Sequence, residues 1–118
     1  MNLDAYRAMV DENVVTPMIE YMDDMVDCDY TQRTIDKCES LLLDYIDALE
    51  ALEDPSDEEI MQLVENLVLA LNDLNESVNY ALIETMERES ICEIIQNSAL
   101  DCGLNTTEDD ITAEWREW

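Results

Sequence analysis

Carboxylates are the most abundant side chains in this sequence that could do chemistry. The chain has 31 Asp and Glu residues against 5 Lys and Arg, a formal net charge of -26 over 118 residues. A pair of carboxylates acts as general acid and base only where a cleft gives the two groups contrasting environments. Because nothing distinguishes one pair among so many acids, the sequence indicates no such site.

Residue types needed for the common catalytic mechanisms are missing. Histidine is absent, which removes the usual general base, the Ser-His and Cys-His nucleophile pairs and the imidazole metal ligand. The single glycine leaves no phosphate-cradling loop and no dinucleotide fingerprint. We therefore predict that the chain is not an enzyme and has no cofactor and no metal site. An enzyme or metal protein is the alternative, which bound metal in an untreated preparation would indicate.

One segment imitates a calcium-binding loop. Residues 54–65 number twelve and have acids at the first, fifth and last positions, but Glu59 stands sixth, where an EF-hand needs glycine. The same residues are better interpreted as a helix stop at Asp54-Pro55 and a capping box from Ser56 to Glu59.

Four cysteines stand ten residues apart within each pair, Cys28 with Cys38 and Cys92 with Cys102. Zinc sites use a two-residue gap instead. We expect reduced thiols; a disulfide in an oxidising setting and a metal site are the alternatives.

Helical periodicity runs through most of the chain and predicts helices over about residues 3–26, 31–52, 57–79 and 84–101. Pro17 should kink or break the first of them. The second and third carry apolar seams at steps of three and four residues. The seam residues are Ile35, Cys38, Leu42, Tyr45, Leu49 and Leu52, then Ile60, Val64, Leu67, Leu71, Leu74 and Val78.

These elements predict an all-α fold. Connections of about three to five residues favour antiparallel neighbours. We expect a single-domain antiparallel bundle of four to five helices over residues 1–104. An acidic tail, residues 105–118, should follow and pack a short terminal helical turn on the bundle. Gly103 stands where a left-handed cap would end the fourth helix.

Three asparagines, Asn72, Asn75 and Asn79, fall on one side of the third predicted helix. They indicate a polar helix face near a loop, or a hydrogen-bonding patch for a partner.

The sequence opens without the apolar region of a signal peptide and has no uncharged apolar window of 18 residues or more. Its basic residues are scattered and give no electrostatic footprint for nucleic acid. We expect a cytoplasmic protein that contacts neither membrane nor nucleic acid directly.

Several runs in the C-terminal third carry a resemblance: Leu82-Ile83-Glu84-Thr85, Glu87-Arg88-Glu89, Ile91-Cys92-Glu93 and the ending over residues 108–118. They resemble a group of small acidic bacterial proteins of uncharacterised function. The resemblance implies a bacterial cytoplasmic protein. It brings no activity, but it draws attention to Glu84, Arg88 and the ending Trp115-Arg116-Glu117-Trp118.

A dense negative field attracts a basic surface and speeds encounter with it. We therefore predict a non-catalytic interaction protein that binds a basic protein, such as a nuclease or DNA-binding protein, as an immunity protein, inhibitor or DNA mimic. The residues expected to make contact are Asp57, Glu58, Glu59, Glu108, Asp109, Asp110, Trp115 and Trp118. The alternative is a helical scaffold or adaptor whose acidity serves solubility or salt adaptation. The broad apolar face of the third helix also permits a homodimer.

Overall fold

The polypeptide is built from helices joined by short connections. A computed structural model describes residues 2–118, and no strand occurs among them. Helix α1, Asp4–Met9, continues through a π-helical segment, Val10–Val15, into α2, Thr16–Asp24. The helices that follow are α3 (Gln32–Ala51), α4 (Asp57–Ser77) and α5 (Thr85–Asp101). The predicted all-helical fold is confirmed, and the arrangement fits a helical bundle.

The interruption near Pro17 takes the form of the π-helical segment. The Thr16 N–H donates to the carbonyl of Asp11, five residues back. Because the Pro17 ring crowds the preceding turn and lacks an N–H, a wider turn accommodates it. Thr16 itself stays helical, with φ -59° and ψ -47°, against the usual preference of a residue before proline. Val14 and Met18 on either side are fully buried, so core packing favours the continuous helix.

The two predicted seams form the centre of the core. Helix α3 packs most extensively against α4, and the π-helical segment packs on α5 and α3. Every seam residue is buried or half-buried. The Tyr45 hydroxyl, deep between helices, donates to the carbonyl of Ile95 at 3.1 Å and so ties α3 to α5. No helix among residues 2–118 has the length and apolar character needed to cross a bilayer.

Two predicted helix ends are confirmed in atomic detail. The Ser56 hydroxyl accepts from the N–H of Glu59 at 3.1 Å, while the Glu59 carboxylate accepts from the N–H of Ser56 at 3.2 Å. Gly103 has φ +99°, and the N–H of Leu104 donates to the carbonyl of Ala99 at 3.1 Å, which closes α5.

Asn72 and Asn75 are 4% and 1% exposed, so the interpretation of these two as a polar surface or partner patch is wrong. The Asn75 side-chain oxygen accepts from the backbone N–H groups of Leu82 and Ile83 at 3.1 and 3.0 Å. It thereby fixes the connection between α4 and α5. That connection contains Tyr80 at φ +61°, a left-handed conformation that bulky residues adopt rarely.

Arg7 ties the N-terminal helix to α3. Its guanidinium donates to Asp4 at 2.8 Å and Asp47 at 2.6 Å, and it makes two hydrogen bonds to Glu50. Glu50 also accepts from the N–H of Leu3 at 2.7 Å. The hydrogen bonds from Arg7 and then from Leu3 lower the pKa of Glu50 to about 2. Glu50 therefore stays charged over the physiological range.

We expect Asn75→Ala to lower the free energy of unfolding by about 2–4 kcal/mol, because two buried N–H groups lose their acceptor. Asn66→Ala is the matched control: Asn66 is exposed and bonds only to Gln62, so it should change stability by less than about 0.5 kcal/mol. Urea denaturation followed by circular dichroism measures both. Equal losses in the two variants would contradict the role given to Asn75.

A carboxyl group whose pKa falls on folding adds stability above its unfolded pKa and loses it as the pH falls through its folded pKa. We therefore expect the stability difference between the wild type and Glu50→Gln to be full above a pH of about 5 and to shrink toward a pH of about 2. Urea denaturation at stepped pH measures it, with Glu53→Gln, at an exposed position, as control. A difference that does not change with pH would show that Glu50 acts by packing and not by charge.

Candidate functional site

The C-terminal tail ends in a turn that lies on the bundle. Ile111 is 2% exposed, and the N–H groups of Trp115 and Arg116 both donate to the carbonyl of Thr112. The buried amide of Asn72 holds this turn to α4. Its nitrogen donates to the carbonyl of Trp115 at 2.8 Å, and its oxygen accepts from the N–H of residue 117 at 3.1 Å. The backbone on both sides of Arg116 is therefore fixed by one side chain of α4.

Arg116 holds the tail together from within. It donates to Asp110 at 2.8 Å, to the Thr112 hydroxyl at 3.2 Å and to the carbonyl of Trp118 at 2.6 Å. Its guanidinium carbon lies 5.4 Å from the centre of the Trp118 ring. Burial alone would raise the pKa of Asp110, but hydrogen bonds from Thr112 and Arg116 together lower it. Two of the predicted contact residues, Asp110 and Trp118, thus take part in the tail's own contacts.

A shallow cleft of about 340 Å³ lies where the tail meets α4. We call it the α4–tail face; its lining residues are Glu58, Met61, Gln62, Glu65 and Trp115. The fold brings Glu58 and Trp115, both predicted contact residues, to one surface although they are far apart in sequence. Carboxylates beside an indole suit a cationic side chain, which pairs with the charge and packs on the ring.

The remaining predicted contact residues are Asp57 and Glu59, in the first turn of α4, and Glu108 and Asp109, in the tail. Asp57 accepts a hydrogen bond from the N–H of Asn105 at 3.0 Å, and Glu59 completes the capping box of α4. Glu108 and Asp109 are exposed. The acidic start of α4 and the tail are therefore neighbours, joined by the contact between Asp57 and Asn105.

Few carboxylates are neutralised within the chain. The acids within 4 Å of a cationic nitrogen are Asp4, Asp47 and Glu50, which contact Arg7, and Asp110, which contacts Arg116. Across residues 2–118, the other 27 of the 31 acids have no cationic partner within that distance. The surface consequently carries a negative field that the fold itself does not compensate.

A second cleft, of about 220 Å³, was not predicted from the sequence. We call it the tyrosine cleft; its lining residues are Tyr21, Tyr30, Ala81, Glu84, Thr85, Met86 and Glu87. The two tyrosine rings stack with centroids 6.2 Å apart and planes within 19°. The hydroxyl of the buried ring, Tyr30, donates to the carbonyl of Met18 at 3.3 Å, which holds that ring in place. The lining residues come from three separate places in the sequence, so their meeting was not predicted. Among them only Glu84 was singled out, through the family resemblance.

The cysteines Cys38 and Cys92 are not reactive thiolates. Burial raises the pKa of the Cys38 thiol to about 12. Burial also raises the pKa of Cys92, whose sulfur lies 3.6 Å from the Thr112 hydroxyl. A thiol that stays protonated is a poor nucleophile, so these two residues serve packing.

We expect Asn72→Ala to release the terminal turn, because both hydrogen bonds from α4 to the tail backbone are lost. At about 1 kcal/mol for each bond, amide hydrogen exchange over residues 111–118 should quicken by roughly tenfold or more. Exchange in α1 to α3 should stay unchanged, and Asn66→Ala should leave the tail as it is. Unchanged exchange in the tail would mean that Asn72 does not hold it.

Comparison with known proteins places the chain in a family. Neither the curated proteins nor the solved structures give a match. A model of a family of unknown function, DUF5713, matches residues 16–118, nearly the whole chain. The match includes the C-terminal third on which the resemblance to uncharacterised proteins rests. The chain therefore belongs to the family of unknown function DUF5713.

Proposed function

We propose that this protein is a non-catalytic acidic interaction protein that binds a basic protein partner, in the manner of an immunity protein, an inhibitor or a DNA mimic. The observation that supports this most directly is the set of 27 carboxylates that have no cationic partner within 4 Å among residues 2–118. A basic surface would gain attraction from these groups without having to displace internal ion pairs. The same field would steer its approach and raise the association rate.

The α4–tail face is the contact surface that we propose. Glu58 and Glu65 flank the half-buried Trp115 there. Tryptophan is enriched among the residues that dominate binding energy, and a ring held in place loses little freedom on binding. Asn72 fixes the backbone of Trp115, so the ring is presented by the folded body and not by a loose end.

The lowered pKa values of Glu50 and Asp110 also suit binding better than catalysis. Hydrogen bonds lower the pKa of both carboxylates: those from Arg7 act first on Glu50, and those from Thr112, followed by Arg116, outweigh burial at Asp110. A general acid needs the opposite, a pKa raised toward neutrality. We accordingly propose that these two groups are structural ion-pair members.

A second candidate is a helical scaffold or adaptor whose acidity serves solubility or a salt-rich cell. The observation that favours it is the spread of exposed acids to other helices, such as Asp36, Asp44 and Asp47 on α3. Under this function no single surface would dominate binding. Salt would stabilise the fold by relieving repulsion between like charges.

We propose a bacterial cytoplasmic protein with antiparallel neighbouring helices. Its bundle over residues 1–104 would act as one body with the tail over residues 105–118. The basic partner would be a nuclease or a DNA-binding protein. Neither membrane nor nucleic acid would be contacted directly, and a homodimer is a further option.

Capture of a partner from nuclease-treated bacterial lysate, at about 50 and about 300 mM salt, tests the proposal, because this range weakens surface attraction markedly. We expect one basic protein to be retained at both concentrations. A smear of basic proteins, all lost at the higher concentration, would contradict the proposal and favour the second candidate.

The double variant Glu58→Gln with Glu65→Gln tests where that partner binds. At about 0.5 kcal/mol for each lost ion pair, the dissociation constant of the retained partner should rise about fivefold. The control variant Asp36→Asn with Glu53→Gln removes the same amount of charge from two exposed positions, one in α3 and one just after it. It should raise the dissociation constant less than about twofold, because only the general field changes. Titration calorimetry measures both variants. Equal losses would show that the field, and not the α4–tail face, carries binding.

A further inference from the structure

We infer that the tyrosine cleft receives an arginine or lysine side chain of the basic partner, an inference that rests on the proposed function and adds a second contact point to it. Nothing in the sequence or the family assigns a role to this cleft. Its size, its lining chemistry, its exposed rim and the charge of the chain all bear on the identity of the occupant.

The volume of the cleft fits a side chain. At about 220 Å³ it is smaller than the roughly 300–1,000 Å³ of typical small-molecule sites. It is also only partly enclosed. An occupant that enters from another protein surface therefore suits it better than a cofactor that must be held on all sides.

The lining combines aromatic faces with carboxylates. Tyr30 forms a buried floor, held by its hydrogen bond to Met18, and Tyr21 stacks on it while remaining 44% exposed. Glu84 and Glu87 stand on the same cleft, one exposed and one half-buried. A guanidinium or ammonium group is attracted both to the ring face and to the carboxylates. Glu87 is close enough that its charge contributes to a raised pKa of the Tyr30 phenol, after the larger effect of burial.

Among residues 2–118 no cationic side chain lines the cleft. Arg7 and Arg116 make their ion pairs with other acids, and none of the five basic residues, all of which lie within residues 2–118, lines the cleft. Arg88 stands four residues after Glu84, but it has no acidic partner within 4 Å among residues 2–118. The carboxylates of the cleft are thus available to a cation from outside.

The rim offers apolar contact to the residues on either side of that cation. Met86, which lines the cleft, is 74% exposed. Tyr80 precedes Ala81 of the lining and is 55% exposed. The N–H of Tyr80 donates to the backbone carbonyl of Asn75 at 2.7 Å, and the side chain gains no burial from the positive φ. Exposed apolar groups around a charged cleft are typical of a protein-binding site.

Charge decides between a basic partner and a second copy of this chain. Two copies would bring together surfaces that each carry a net charge of -26, and the cleft carboxylates would face more carboxylates. Like charges in contact oppose association, whereas a cationic side chain complements the cleft. The observations therefore favour the cation.

The probe for the test is the peptide acetyl-Ala-Arg-Leu-amide, with acetyl-Ala-citrulline-Leu-amide as its uncharged counterpart. Titration into the full chain, with methionine methyl groups labelled with carbon-13, follows Met86 at the tyrosine cleft and Met61 at the α4–tail face. We expect the arginine peptide to shift Met86 in a saturable way and the citrulline peptide to leave it in place.

Variants separate the cleft from the general field. Tyr21→Leu and Glu87→Gln should each weaken the arginine peptide at Met86 by about threefold or more, the range of an exposed cation–π contact or ion pair. Tyr21→Phe keeps the ring face and should keep binding. Glu93→Gln removes one exposed charge elsewhere on α5 and is the matched control for Glu87→Gln.

Equal shifts from both peptides, a shift at Met61 alone, or wild-type binding by Tyr21→Leu would each overturn the inference. So would a concentration-dependent dimer in sedimentation that Tyr21→Leu abolishes, since a second copy would then occupy the cleft. Capture of a basic partner with unchanged affinity by Tyr21→Leu would overturn the cleft contact while the proposed function stands. A saturable, arginine-dependent shift at Met86 without any captured partner would support the cleft and contradict the proposed function.

Discussion

Because the chain holds 31 acidic and 5 basic residues, ion pairs cannot balance its surface, and its carboxylates repel one another in the folded body. The two arginines that form ion pairs are placed where the chain ends must be held: Arg7 joins the N-terminal helix to α3, and Arg116 closes the tail. Elsewhere neutral groups hold the connections. Asn75 binds the segment between α4 and α5, and Asn72 binds the tail. Buried apolar side chains, those of the α3 and α4 seams together with those of the π-helical segment and α5, form the core that holds the helices together.

The same constraint shapes the proposed function. A surface that is not neutralised by its own chain is open to neutralisation by another protein, and the fold places aromatic rings beside carboxylates at two clefts. At the α4–tail face the ring is that of Trp115, whose backbone carbonyl accepts a hydrogen bond from Asn72. At the tyrosine cleft the floor is Tyr30, fixed by its bond to Met18. In both places a hydrogen bond within the chain positions an aromatic residue at an acidic surface, where it can meet a cation at a lower ordering cost.

Local patterns in the sequence predicted most of the fold. The capping box at Ser56, the left-handed cap at Gly103 and the seams of α3 and α4 depend on residues a few positions apart, and all are confirmed. Long-range pairing escaped prediction, because a buried Asn72 or Asn75 looks the same in sequence as an exposed one. The tyrosine cleft was missed for the same reason, since α2, the connection before α3 and the segment around the start of α5 meet only in the folded chain. Glu58 and Trp115 were each predicted to contact a partner, but the sequence did not show that they lie on one surface.

The central claim is that a basic protein binds where the aromatic rings and uncompensated carboxylates meet. Hydrogen exchange of the complex with the captured partner tests it most directly, because it maps the bound surface on the intact chain. The account predicts slower exchange over residues 57–65, 84–87 and 111–118, with the outer face of α3 unchanged. Slowing confined to α3, or spread evenly over every acidic face, would contradict it and leave the charge as a general property of the surface.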